Sequence, residues 1–419
     1  MEAETTTTTT PFGFESGDAA AFVLSRTADA AEAGDRAAFV DAATGREITF
    51  AGLRRAALSL AAGLRLGLGL RRGDAVLLVL DEAGGDQLLV PPIILGVLAA
   101  GGVVVVAAAD AAVAHGSGAA MVVAAPEAGK KVAAAVGAPL LLISQSPDPR
   151  TLSAEELMDG GDPTALVHDA AAAPWDVAIV VHSSASKTKK AVLTHADLIA
   201  AMAGSSPGEG RVCLACLPTW GAGTGVPGVL PLLALGLPAA GVTTVLVPPV
   251  SDLREAVAVH GATDVVATPE AAAALVAPMA SQGKLATLRR VTLVAQAPLA
   301  EEASKAFRRR LAWVEVTEMF DAPEMGTEVK SEEQQQVVAP AELGPLLLVQ
   351  PEAPATAAAI QQNSKKTDQM AATNEATSLV PPLKKIQKSV FGDILTKSIT
   401  AKILRRHPVA CDKQAVSKL

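Results

Sequence analysis

The chain has 419 residues, half of them hydrophobic, enough for a large buried core and for two or three domains. Aromatics are only 3% and Tyr is absent, so that core is built from Ala, Val and Leu, as in an α/β protein with Val-rich strands and Ala/Leu-rich helices. A net charge of −8 argues against a general nucleic-acid binder, and three cysteines cannot supply a disulfide framework.

The chain opens with Glu2, Glu4 and a threonine tract from Thr5 to Thr10, without the basic start and apolar stretch of a secretory signal. That composition reads as a disordered leader. From Ala37 to Phe50 the pattern predicts a hairpin turning at Ala43-Thr44-Gly45. Thr49 is placed to cap a helix that carries Leu53, Ala57, Leu60, Ala61 and Leu64 at helical spacing. Buried strands follow at 75–80, 103–107, 121–125, 140–144 and 177–181, then at 243–249, 264–268 and 290–295. Ala-rich helical segments separate several of them, which predicts a largely parallel sheet covered by helices.

Two uncharged stretches, 88–109 and 212–251, are long enough to span a membrane. Prolines and glycines interrupt both, and each reads as a helix followed by a Val-rich strand, so no membrane span is expected. Cys213 and Cys216 form a C-x-x-C, the spacing of a redox or zinc pair. The run RVCLACLP is apolar and lacks a second pair, so plain core packing is the favoured reading.

After Lys330 the texture changes. SEEQQQ and the stretch from Gln361 to Ser378 are polar and read as exposed loop or linker. From Val380 onward nine Lys and Arg face only Asp393 and Asp412, so the tail carries +7 against −15 for the rest. We therefore expect a large domain over 1–330 and a truncated small domain over 331–419.

The most distinctive local pattern is VAIVVHSSASKTKKAVLTHADLIA, Val177 to Ala200. A buried strand enters a Ser/Thr/Lys loop and then a helix, with Thr194 and Asp197 in capping register. Hydroxyls, backbone N–H groups and lysines beside a helix start suit phosphate oxygens. By itself the stretch reads as readily as a polar surface loop.

This stretch resembles the phosphate-binding loop of the adenylate-forming acyl-CoA ligases, roughly YSSGTTGxSKGVxLTH, and the resemblance is to the plant 4-coumarate–CoA ligase-like enzymes. His182 stands for the Tyr, Ser183-Ser184 for the paired serines, Lys189 for the lysine and Leu193-Thr194-His195 for the closing triplet. The loop is shorter than that pattern and has lost its glycines, with Ala185 and Ala191 nearby. ATGREITFAGLRRAALSLAAGL and LRRGDAVLLVL resemble the family's opening hairpin, helix and strand. CLPTWGAG falls where the family has an aromatic and a His, here Trp220 and Gly221. The adjoining GAGTGVPG also mimics a dinucleotide loop, weakly, because no ribose acid is evident.

AQAPLAEEASKAF resembles the family's GxAPLxxE, and VEVTEMFDAPE its VxQGYGxTE, with Phe320 for the Tyr and Glu324 as the retained carboxylate. Near Lys330 to Gln336 a block is missing that in the family holds the ribose-binding aspartate and the hinge. VVAPAELGPLLLVQPEA and VPPLKKIQKSVFGDILTKSITAKILRR resemble the small domain, with Lys402 on the lysine that assists adenylate formation. The terminal Ser417-Lys418-Leu419 matches a peroxisomal address read by an import receptor. Without import the chain would stay in the cytoplasm.

The resemblance implies an α/β fold with a large adenylate-forming domain, parallel-rich sheets and a small C-terminal α/β domain. It implies ATP, Mg2+ and coenzyme A acting on an aromatic or fatty carboxylic acid, as in phenylpropanoid metabolism. Ser183, Ser184, Lys189 and Thr194 would serve ATP, Phe320 would stack on adenine, Glu324 would hold Mg2+, and Lys402 would meet charge at the α-phosphate. Two alternatives stay open: a folded relative that binds nucleotide or a partner without turnover, and a defective product without a stable small domain.

Overall fold

The computed structural model describes residues 17–32, 35–80, 86–108, 118–148, 150–165, 172–182, 190–203, 208, 210–249, 252–277 and 285–320. Among these, the strands are β1 (Ala37–Asp41), β2 (Glu47–Thr49), β3 (Ala75–Leu80), β4 (Val103–Ala108), β5 (Met121–Ala124), β6 (Leu140–Leu142) and β7 (Val177–His182). They continue with β8 (Lys190–Thr194), β9 (Val212–Cys216), β10 (Thr243–Leu246), β11 (Asp264–Ala267), β12 (Arg290–Ala295) and β13 (Glu315–Phe320). The principal helices are α1 (Ala19–Glu32), α2 (Phe50–Ala62), α3 (Val90–Ala99), α4 (Pro126–Val136), α5 (Ala154–Gly160), α6 (His195–Ala203), α7 (229–239), α8 (Leu253–His260), α9 (Pro269–Val276) and α10 (Glu301–Arg310).

Two sheets result. One has seven strands in the order β13-β12-β11-β9-β10-β1-β2, the other six in the order β6-β5-β3-β4-β7-β8. Every pairing is parallel except the hairpins β1–β2 and β7–β8. This is the mixed, mostly parallel α/β fold that the alternation of Val-rich runs and Ala-rich segments predicts. The first hairpin and its cap form as expected, with Thr49 Oγ1 accepting from the Gly52 amide at 3.0 Å.

Three buried clusters follow from this layering. The largest joins both sheets through α1, α2, α3 and α7, with Phe39, Phe50, Leu53, Ile94 and Leu230 among its members. The outer face of the seven-stranded sheet packs Leu214, Val265 and Leu293 under Phe307 of α10. The outer face of the six-stranded sheet packs Leu77 and Val122 under Val132 of α4.

The stretch 88–109 resolves into α3 and β4, and 212–251 into β9, α7 and β10. No helix among the described residues is long and apolar enough to cross a membrane. Cys213 belongs to the central cluster and Cys216 to the outer one, so they point to opposite faces of β9 and cannot pair. Burial pushes the Cys213 thiol pKa far up, as expected of an inert core cysteine.

One buried polar contact fastens α1 to the start of α6. His195 Nδ1 accepts from the Ala19 amide at 3.1 Å, beside the Asp18 carboxylate at 3.9 Å, and Asp18 caps α1 by accepting from the Ala20 and Ala21 amides. An accepting Nδ1 makes the imidazole the neutral Nε2–H form. Burial pushes its pKa down, outweighing the pull of Asp18 and Asp176, and Arg72 adds to the depression. The unfolded chain therefore binds the proton more readily than the fold. Stability is complete above the ordinary histidine value of about 6.5 and falls as pH drops through the lowered folded value. Thermal unfolding followed from pH 8 to pH 5 is expected to show this loss, and His195→Gln, whose amide oxygen accepts without titrating, to flatten it.

Candidate nucleotide site

In sheets of this kind the strands' carboxyl ends open into a crevice where ligands bind. Among the described residues, the carboxyl end of β7 lies in the six-stranded sheet, and those of β9 and β12 lie in the seven-stranded sheet, followed by a turn and by the segment leading to α10.

β7 ends at His182, which is buried and pairs with Lys190 across the hairpin. The predicted phosphate residues Ser183, Ser184 and Lys189 lie between them, outside the described residues. The hairpin corrects the expectation of a loop leading straight into a helix. Residues 190–194 form a second strand, so α6 begins only after the chain has run back to Val177, the partner of Thr194. Four residue steps of strand take the chain from Lys190 to Thr194, about 13 Å. The α6 N-terminus therefore begins at the end of the hairpin opposite Lys190. Thr194 and Asp197 do form the capping box, Thr194 Oγ1 donating to Asp197 Oδ2 at 2.7 Å and accepting from the Asp197 amide at 3.2 Å. The structure thus places Thr194 at the far end of the hairpin from the loop, with its hydroxyl engaged there.

After β9 the chain makes a turn that the sequence did not disclose. Thr219, Trp220 and Gly221 all adopt positive φ, at 46°, 57° and 78°. For a β-branched Thr and a bulky Trp this is a genuine outlier, a conformation that costs on the order of 1–2 kcal/mol per residue. What holds it is packing. Trp220 is 3% exposed and meets Phe39 of β1 edge-on at 5.8 Å between centroids. Gly221 is required as glycine, since a Cβ there would lie 2.5 Å from Val229 Cγ1. Thr224 Oγ1 donates to the Gly221 carbonyl at 2.6 Å and closes the turn. The glycines of GAGTGVPG thus serve a tight turn, with Gly221 and Gly225 left-handed, rather than a dinucleotide loop. Thr219→Gly is expected to raise stability by about 0.5–1 kcal/mol in urea unfolding, because it relieves strain without touching the Trp220 contact.

β12 and β13 run in register from Arg290↔Glu315 to Ala295↔Phe320. Phe320, half-buried, therefore stands beside the point where residues 296–300 leave the sheet. Residues 296–298, which follow Phe320's partner Ala295, are exposed. Glu318 anchors the segment: its carboxylate accepts from the Leu299 amide at 3.1 Å and from Ser304 Oγ at 2.7 Å. The two segments that the sequence singles out near Ala297 and Phe320 are thus joined by one side chain. Glu324 and Lys402 lie outside the described residues. No group of three or more His, Cys, Asp or Glu able to hold a metal occurs among the described residues.

The sequence matches the family model for AMP-binding enzymes over residues 26–347. The chain belongs to the AMP-binding enzyme family. No curated protein matches it. Its fold is similar to those of several solved structures. The luciferase-like enzyme of the nonluminescent mealworm Zophobas morio gives a TM-score of 0.59 at 14% identity, covering 74% of this chain and 73% of that one. VinN gives 0.54 at 21% identity, covering 71% and 74%. A benzoate CoA ligase from Burkholderia xenovorans LB400 gives 0.53 at 23% identity, covering 73% of this chain but 60% of the ligase. At these identities the likeness shows the fold, that of the adenylate-forming domain. The AMP-binding family member described here carries Phe320 and the exposed 296–298 segment at the carboxyl ends of that fold's strands.

Proposed function

We propose that this AMP-binding enzyme is an ATP-dependent acid–CoA ligase of the 4-coumarate–CoA ligase type, with a large domain over 1–330 and a small one over 331–419. The observation that carries the reading is the placement of Phe320 beside an exposed segment at the strands' carboxyl ends, in a chain that matches the family over most of its length. A half-buried ring beside an exposed segment fits a purine, which needs a stacking face and room for hydrogen-bond partners. Ser183, Ser184 and Lys189 would take the ATP phosphates from the loop after β7, and Lys402 the charge that develops at the α-phosphate. Glu324 would hold Mg2+, which neutralises phosphate charge when bound. The acid would give an acyl-adenylate and pyrophosphate, and the coenzyme A thiol would then displace AMP to leave a thioester. A carboxylic acid substrate is in keeping with the folds it resembles, a benzoate CoA ligase and VinN with bound L-aspartate.

Pyrophosphate release, followed with ATP and Mg2+ across aromatic and fatty acids, tests this. Release with at least one acid above the acid-free background supports the ligase. A second reading, a folded relative that binds without turnover, is favoured by one feature: the segment 183–189 contains no glycine. ATP binding without pyrophosphate release from any acid would select it.

The address Ser417-Lys418-Leu419 carries a separate expectation, peroxisomal residence. A fluorescent protein fused to the N-terminus is expected to collect in peroxisomes, and one fused after Leu419 to remain diffuse, because the receptor needs a free tripeptide. Diffuse signal from both would rule the address out.

A further inference from the structure

We infer that Glu318 is a positioning residue for nucleotide binding, and that its carboxylate sets the distance between the two walls of the adenosine site. The inference rests on the proposed function and goes beyond it by assigning a residue that touches no ligand.

Glu318 and Phe320 are two residues apart on β13, so their side chains leave the same face of the strand. That face meets α10, where Ser304 is buried and donates to Glu318 Oε1 at 2.7 Å. The other oxygen accepts from the Leu299 amide at 3.1 Å. One carboxylate therefore bridges the strand that carries Phe320, the helix behind it and the exposed segment in front of it. Leu299 is half-buried against the outer cluster while 296–298 stay exposed, so the segment is pinned at one end and open at the other. Such an arrangement holds the exposed segment at its Leu299 end. The two donors end on one carboxylate, one on each oxygen. A leucine at this position keeps most of the volume and removes both acceptors, whereas a glutamine could still accept from Leu299 and donate to the Ser304 hydroxyl.

The same strand supplies its own control. Glu315, at the other end of β13, bonds Arg290 Nε at 3.1 Å, far from the carboxyl edge. The full chain and its Glu318→Leu, Ser304→Ala and Glu315→Gln variants would be titrated with ATP and Mg2+ by saturation-transfer NMR, which reads weak binding. Amide exchange at Leu299 and thermal unfolding would be followed on the same samples. Loss of both charge-assisted bonds predicts at least about tenfold weaker ATP binding for Glu318→Leu, a smaller loss for Ser304→Ala, and faster Leu299 exchange in both. Glu315→Gln is expected to lower the unfolding temperature without changing ATP affinity. Glu318→Leu that binds ATP as the parent does, whatever its stability, overturns the inference and leaves the proposed function standing. A parent chain that binds no ATP overturns the proposed function, and this role of Glu318 with it.

Discussion

Replacing Lys402 by Ala is expected to cut pyrophosphate release about 10²–10³-fold while leaving ATP binding nearly unchanged. A cation near the α-phosphate stabilises charge that builds in the transition state more than charge already present in the ground state, so its loss falls on turnover rather than on affinity. Binding would rest on the large domain, through Phe320 and the loop after β7. Lys397→Ala is the matched control, five positions earlier in the same basic tail, and should cost far less. Equal effects from the two variants would make Lys402 one charge of a solvated basic face.

Trp220→Ala should lower stability by about 3–5 kcal/mol, the usual cost of truncating a large buried aromatic. The ring is almost wholly buried and meets Phe39 edge-on, so truncation removes both its packing and the aromatic pair. The backbone gives this experiment a second arm. Trp220 sits at φ 57°, where alanine is strained and glycine is not. Trp220→Gly is therefore expected to be about 0.5–1 kcal/mol more stable than Trp220→Ala, the reverse of their order in a helix. Urea unfolding of the three proteins measures both differences. A Gly variant less stable than the Ala variant would show that the left-handed turn contributes no strain.

Much of the fold was legible because parallel strands are buried on both faces and so read as plain apolar runs. AVLLVL, RVTLVA and DVVA announce themselves in this way, and β3, β12 and β11 occupy them. The cap at Thr49 and the capping box at Thr194 were equally legible, since each depends on residues within three positions of one another. β8 was not. KAVLT is a short edge strand of intermediate and exposed residues, and Lys190 at its start continues a Ser/Thr/Lys run that reads as loop. Only its antiparallel pairing with β7 makes it a strand, and that pairing decides that the α6 N-terminus and the loop lie at opposite ends of the hairpin.

Sequence by itself determined the family, the α/β class and the candidate residues, because these follow from local pattern and from motif order along the chain. Tertiary structure decided what those residues can do together. Nothing local predicts positive φ at Thr219 and Trp220, which is held by a ring from β1 well before it in the chain. Nor does any local signal distinguish Glu318 from an ordinary polar position on a strand. Its two bonds reach Leu299 and Ser304, and neither partner is placed until β12 and β13 pair and α10 packs across them. Local propensity acts over a few residues, whereas a site is assembled from segments that only the sheet brings to one edge.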